Sequence, residues 1–278
     1  MYKIGLSSCG FLLTEENFRA LRENNIDVIE ISMRSDMYGD IDYKALKRLS
    51  ERYAVGLWSY HLPFSPFSEI DISSPDKTVR ENTVHYSTEL ISRASHIGID
   101  KFIVHPSGEP IEDASREEHL KYSMQSLNML AEFAHKCGAV IAVEDLPRTC
   151  IGNTSDEIGE LIGANDKLRV CFDTNHLLSE DHISFMKKLA DKIITVHISD
   201  YDFVDERHWL PGEGKLDWNT IFEAFKEIGY NGVWLYEMGL KCPGTLVRDR
   251  DLTFDDFYHN AMSIFSGKEP DALGVPRC

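Results

Sequence analysis

Four apolar runs in the 278-residue sequence end in side chains that bind metal ions or move protons. Residues 140–143 lead into Glu144 and Asp145, and residues 168–172 lead into Asp173, with His176 just beyond. Residues 193–196 lead into His197, with Asp200 three residues on, and residues 232–236 lead into Glu237. A single histidine or carboxylate after such a run is commonly a satisfied core group or a helix cap, and Asp145 and Asp200 are read in that way. Four in succession mark a site. If Glu144, Asp173, His197 and Glu237 share one face, three carboxylates crowd together, which costs several kcal/mol unless a proton or a cation intervenes. One divalent metal ion resolves that repulsion. Three carboxylates and one imidazole suit Mn2+ best, with Mg2+, Co2+ and Zn2+ also compatible.

The elements that must bring these residues together are legible on either side of them. Each run is short and rich in Val, Ile and aromatic residues, as expected of a buried parallel strand. Four earlier runs have the same character, at 4–7, 28–32, 55–60 and 101–104. Helical patterns alternate with them. Thr14, Asp42, Thr154 and Asp217 stand where N-caps belong. A long helix is expected from Pro75 to about Ile97, another over 115–136 and a shorter one over 181–190. Residues 64–74 form a long loop with Phe64 and Phe67, residues 201–215 form a polar loop, and the stretch after Gly267 reads as irregular.

Eight strand–helix units in one chain predict an α/β fold, a single (β/α)8 TIM barrel over residues 1–278. The rival, an open doubly wound sheet, calls for a Gly-rich first turn, and residues 7–10 (Ser-Ser-Cys-Gly) are a poor one. In a barrel the carboxyl ends of all strands converge on one face, where active sites sit. That face also collects Glu30, His61 and His105 at strand ends, with His176 and His208 one short loop further on. Six other histidines fall on helices and are read as surface or packing residues.

Composition narrows the partners. The net charge of −17 disfavours nucleic acid and anionic membranes. No apolar run approaches the roughly 20 residues needed to cross a bilayer. The six cysteines are irregularly spaced and form no C-x-x-C pair, which points to reduced thiols in a cytoplasmic protein. Residues 1–6 lack the long apolar core of a signal peptide and read as a first strand. A homo-oligomer is compatible with all of this.

Several segments together resemble the xylose-isomerase-like barrel superfamily of sugar isomerases and epimerases, which also holds a branch of apurinic-site endonucleases. They are Val143-Glu144-Asp145, Phe172-Asp173-Thr174-Asn175-His176, Val196-His197-Ile198-Ser199-Asp200, Leu210-Pro211-Gly212-Glu213-Gly214 and Tyr236-Glu237. The ketose 3-epimerase members are the nearest in pattern. The resemblance implies that Glu144, Asp173, His197 and Glu237 hold one metal ion, that Glu144 and Glu237 also move protons, and that His176 contacts substrate. A basic residue before the Pro-Gly does the same, with Arg207 and His208 both candidates. His61, His105 and Trp209 join the substrate-binding set, Trp209 as an apolar wall against a sugar ring, whereas Trp58 is read as packing.

The expected reaction is removal of a proton beside a carbonyl of a sugar or keto-sugar through a metal-stabilised enediolate. Return of the proton to the opposite face epimerises; return to the neighbouring carbon isomerises. A keto-sugar lyase would use the same parts. The endonuclease branch carries a three-metal cluster with further histidines and an Asp-x-His pair. His61 and His105 sit where such histidines would, while Glu206-Arg207-His208 departs from that pair. Its phosphodiesterase activity is the alternative reading, opposed by the acidity of the chain.

Overall fold

The computed structural model describes residues 1–277. Eight parallel strands, each followed by a helix, form a barrel: β1 (Lys3–Ser7), α1 (Glu15–Glu23), β2 (Val28–Ile31), α2 (Tyr43–Tyr53), β3 (Gly56–His61), α3 (Lys77–Ser95), β4 (Lys101–Val104), α4 (Arg116–Lys136), β5 (Val140–Glu144), α5 (Ser155–Ile162), β6 (Arg169–Asp173), α6 (His182–Leu189), β7 (Ile193–His197), α7 (Trp218–Glu227), β8 (Val233–Tyr236) and α8 (Phe254–Phe265). Neighbours pair in the order β7-β6-β5-β4-β3-β2-β1-β8. The ring closes between β7 and β8 one residue past His197, where Ile198 bridges Tyr236; Ile198 N–H donates to Leu235 O at 2.8 Å and Glu237 N–H to Ile198 O at 3.2 Å. The structure is a TIM barrel.

The helices begin where local chemistry directs. Side chains of Thr14, Asp42, Thr154 and Asp217 accept the amide protons of Asn17, Ala45, Glu157 and Thr220. These bonds satisfy amides that have no partner within the helix. The third helix starts two residues later than Pro75 suggests, because the carboxylate of Asp76 caps it through Thr78 N–H.

The core has two parts. The larger lies between the outer faces of the strands and the helices and holds Phe18, Leu90, Leu127, Phe172, Trp218 and Trp234, all fully buried. Smaller clusters fill the barrel, one of Val28, Val233 and Leu235, another of Ile103, Ala142 and Cys171. Strand alternation then decides what stands above them. On β5 and β6 the side chains two residues beyond Ala142 and Cys171 are Glu144 and Asp173, so the same periodicity that fills the interior lifts carboxylates to its upper end. Trp58 spans the lower end, donating from Nε1 to Thr195 Oγ1 at 3.0 Å, a packing role.

The C-terminal stretch is more ordered than its composition suggests. Gly274–Pro276 (β10) pairs antiparallel with Leu246–Arg248 (β9). Gly274 is needed there, since a Cβ would stand 2.6 Å from Arg248 Cγ. Among the described residues no helix is long and apolar enough to cross a membrane.

Candidate metal centre and cavity

Glu144, Asp173, His197 and Glu237 meet at the carboxyl end of the barrel, each offering a ligand atom within 4.8 Å of the others. His197 Nδ1 lies 2.7 Å from Glu144 Oε1, 3.1 Å from Glu237 Oε2 and 3.8 Å from Asp173 Oδ2. Three of the four are fully buried, and the Glu237 side chain is 13% exposed. Burial opposes charge on His197, but Cys171, Glu237, Glu30 and Glu144 around the ring hold its pKa well above the ordinary value. Burial likewise raises Glu237 and Glu144, and the neighbouring imidazole charge outweighs it, holding both well below the usual carboxylate range. Asp173 goes the other way: burial, then the charge of Glu237, push it well up. Its Oδ2 has no hydrogen-bond partner. An orphaned, buried carboxylate oxygen among two other carboxylates is a donor set that fits a divalent cation.

Three further histidines carry the same imprint. Nδ1 of His61 lies 2.8 Å from Leu62 O, that of His176 2.7 Å from Asp145 O, and that of His208 3.1 Å from Glu237 O. A carbonyl only accepts, so each Nδ1 carries the proton and each neutral ring turns a lone pair outward from Nε2. Those lone pairs face carboxylates: His61 meets Glu144 Oε2 at 3.1 Å, His176 meets Asp173 Oδ2 at 3.6 Å, and His208 meets Glu206 Oε1 at 3.5 Å. Such a contact demands a second proton or a cation. For His61 burial opposes protonation, but Glu144 raises its pKa to about 9; for His208 Glu206 does so, also to about 9. His105 Nε2 also reaches Glu144 Oε2, at 3.1 Å, and burial pushes its pKa down. Two ligand groups thus flank the first, His61–His105–Glu144 and His176–Glu206–His208.

Above the centre is a cavity of about 380 Å3. His61, His105, His176, His208 and Glu237 line it, with Phe64, Phe67 and Met238 as apolar walls. Phe64 stacks on His105 at 4.3 Å. Arg148 is its only Lys or Arg, and that guanidinium is occupied: it grips Glu109 through Nε and Nη2 at 2.9 and 2.6 Å, and Asp205 and Glu206 through Nη1 at 2.8 and 2.9 Å. A larger cavity, about 780 Å3, opens at the opposite end around Lys3, Trp58 and Tyr230 and contains none of the candidate residues.

Two sequence expectations need correction. Arg207 and Trp209 do not line the cavity. Arg207 Nε is bound to Asp202 at 3.0 Å, and Trp209, 1% exposed, donates from Nε1 to Thr245 Oγ1 at 2.9 Å. Asn175 explains the difference, its Oδ1 accepting from the amides of Arg207 and His208 at 3.0 and 3.3 Å. His208 adopts a left-handed φ of 51°, which L residues rarely occupy, and the loop turns its ring toward the cavity beside Glu206. Asp200 anchors the same loop, accepting from Gly212 N, Leu216 N and Trp218 Nε1.

A family model described as xylose isomerase-like TIM barrel matches residues 18–251. The chain belongs to that family. Within it, an uncharacterised protein of Methanocaldococcus jannaschii is 30% identical over 244 residues, 83% of this chain and 82% of the relative. A D-psicose 3-epimerase of Ruminiclostridium cellulolyticum is 27% identical over 236 residues, 79% and 76% of the two chains. A solved D-tagatose 3-epimerase-like protein superposes with a TM-score of 0.74 at 27% identity, covering 85% of this chain and 90% of its own.

Glu109 and Arg148 have no signal in the sequence as site residues, and Asn175 has only a slight one. Glu109 and Arg148 sit on loops 39 residues apart in sequence, and nothing local pairs them. Asn175 lies inside the Asp173–His176 segment, where its spacing to two chemically louder residues was the one available hint.

Proposed function

We propose that this protein is a divalent-metal-dependent isomerase or epimerase of an unphosphorylated sugar or keto-sugar. The observation that carries the reading is the quartet of Glu144, Asp173, His197 and Glu237 at the base of a cavity whose only guanidinium is already spent. The relatives named above as 3-epimerases support it. The residues fit a resident cation through the orphaned Asp173 oxygen and the three carboxylates gathered around His197 Nδ1. A divalent cation held there supplies Lewis acidity, which makes a proton beside a carbonyl easier to remove.

The chain's own residues do the rest. Glu237 is the carboxylate of the quartet on the cavity wall, and the imidazole charge of His197 keeps it ionised, the form a base needs. Glu144 is the second proton carrier. Its oxygens face His61, His105 and His197, and a proton reaches it from the cavity by way of His105, since both nitrogens of His61 are engaged by Leu62 O and Glu144. His176 and His208 stand beside Glu237 to take substrate hydroxyls. Phe64, Phe67 and Met238 exclude water from the apolar side of the sugar.

Incubation with a panel of ketoses and keto-glycosides in D2O tests this reading. Deuterium should appear at the carbon next to the carbonyl. Glu237→Gln should lower exchange by about 10^2–10^4-fold, the usual contribution of a general base. No label from any panel member would overturn the proposal.

The two flanking histidine groups favour one other reading, a metal-cluster phosphodiesterase. The net charge and the single occupied arginine weigh against a polyanionic substrate. Three metal ions per chain together with cleavage of abasic DNA would replace the sugar reading; about one ion per chain supports it.

A further inference from the structure

Glu30, on β2, is fully buried and belongs to none of the ligand groups. Its carboxylate lies behind His197, on the side of the ring away from the quartet. His197 Nε2 stands 3.1 Å from Glu30 Oε1 and 3.2 Å from Oε2, and Ser59 Oγ donates to Oε2 at 2.7 Å. No lysine or arginine pairs with Glu30. A buried carboxylate compensated by one hydroxyl and one imidazole N–H is a costly arrangement. It has a specific effect: a carboxylate accepts only, so Nε2 must carry a proton, and the lone pair of the neutral ring falls on Nδ1, the nitrogen that faces Glu144, Asp173 and Glu237.

We propose that Glu30 is a positioning residue that fixes the tautomer and ring orientation of His197 so that Nδ1 is presented to the cation. Ser59 in turn fixes Glu30. This rests on the metal-dependent reading above, and carboxylates in this relation to metal-bound histidines alter metal affinity on the order of 10–100-fold. The register shift between β2 and β3 contributes, since it pairs Glu30 with Ser59 and brings the hydroxyl within reach.

The test uses the full chain and Mn2+ in competition with a chromophoric chelator. Glu30→Ala should bind Mn2+ roughly 10–100-fold more weakly than the unaltered protein. Glu30→Asp keeps the buried charge but draws it back by one methylene, and should weaken binding about tenfold, at the lower end of that range. Glu30→Gln, which keeps an acceptor in place, should recover most of the affinity. Thr195→Val, which cuts the Trp58 bond at the other end of the barrel, should leave it unchanged. NMR of 15N-histidine-labelled protein loaded with diamagnetic Mg2+ should show His197 protonated at Nε2, and a mixture of tautomers in Glu30→Asp. Affinities of Glu30→Ala and Glu30→Asp within twofold of the unaltered protein would overturn the role of Glu30 while leaving the metal site intact. If Glu30→Ala does not fold, Glu30→Asp and the tautomer decide. An unaltered protein that binds no Mn2+ would overturn this inference and the metal-dependent reading together.

Discussion

Replacement of Arg248 by Met tests whether the C-terminal ribbon supports the loop that carries His208. Arg248 Nε and Nη2 meet Glu213 Oε1 and Oε2 at 2.7 and 2.5 Å, with side chains 1% and 0% exposed. Without the guanidinium, Glu213 keeps one donor, Leu210 N–H at 2.9 Å, for a fully buried negative charge. Breaking one side of such a pair costs about 3–5 kcal/mol. The substitution also removes Arg248 Nη1, which is buried without a partner and whose desolvation offsets about 1–3 kcal/mol. A net loss near 2 kcal/mol is expected, seen in calorimetry as a fall in Tm of roughly 4–8 °C for a chain of this size. The double variant Arg248→Met, Glu213→Met removes both charges and should regain most of the loss, because a buried pair contributes little beyond a well-packed apolar replacement. A single variant within 1 kcal/mol of the unaltered protein, or a double variant no better than the single, would refute the reasoning.

Metal affinity should rise with pH. The raised pKa values of His61 and His208 mean that both rings hold a second proton up to about pH 9 in the cation-free protein, and two positive rings beside the quartet repel a cation. Apparent affinity should therefore climb between about pH 6 and 9 by up to about tenfold per unit for each proton displaced, then flatten; a flat profile from isothermal titration would show that neither ring carries the second proton. Phosphorylated ketoses should show kcat/KM at least about tenfold below their neutral counterparts, since Arg148 is held by Glu109, Asp205 and Glu206 and a phosphate would meet unbalanced carboxylates. Equal values would show that Arg148 can be released. Trp209→Phe should cost about 1 kcal/mol in stability through the lost bond to Thr245 and leave substrate KM unchanged; a raised KM would return Trp209 to the cavity.

Strand and cap chemistry is local, and the sequence carries it plainly. Apolar runs of Val, Ile, Leu and aromatic residues mark β5 to β8, and Thr14, Asp42, Thr154 and Asp217 cap as their positions suggest. The convergence of Glu144, Asp173, His197 and Glu237 follows from barrel geometry once the strands are placed. Long-range pairing is where reading by pattern stops. β9 and β10 have three residues each and lie 26 positions apart, too short for a period to register. Arg207 and Trp209 had the right chemistry at the right distance from the Pro-Gly, but a left-handed His208 and the amide grip of Asn175 turn both away. Glu30 sat at a strand end like the ligands themselves, and only the face of His197 it touches distinguishes it from them.

The seam between β7 and β8 gives the metal centre a second meaning. Among the described residues Ile198 alone bridges the two strands, and His197 and Glu237, two of the four side chains proposed to hold a cation, stand on either side of the cut. An ion shared by those two side chains would fasten the cylinder where its lateral bonding is thinnest. Occupancy should then govern how often the wall opens, and the amide protons of Ile198 and Glu237 become a gauge of it. Their exchange with solvent should slow when the ion is bound, reporting on the centre in the absence of any substrate.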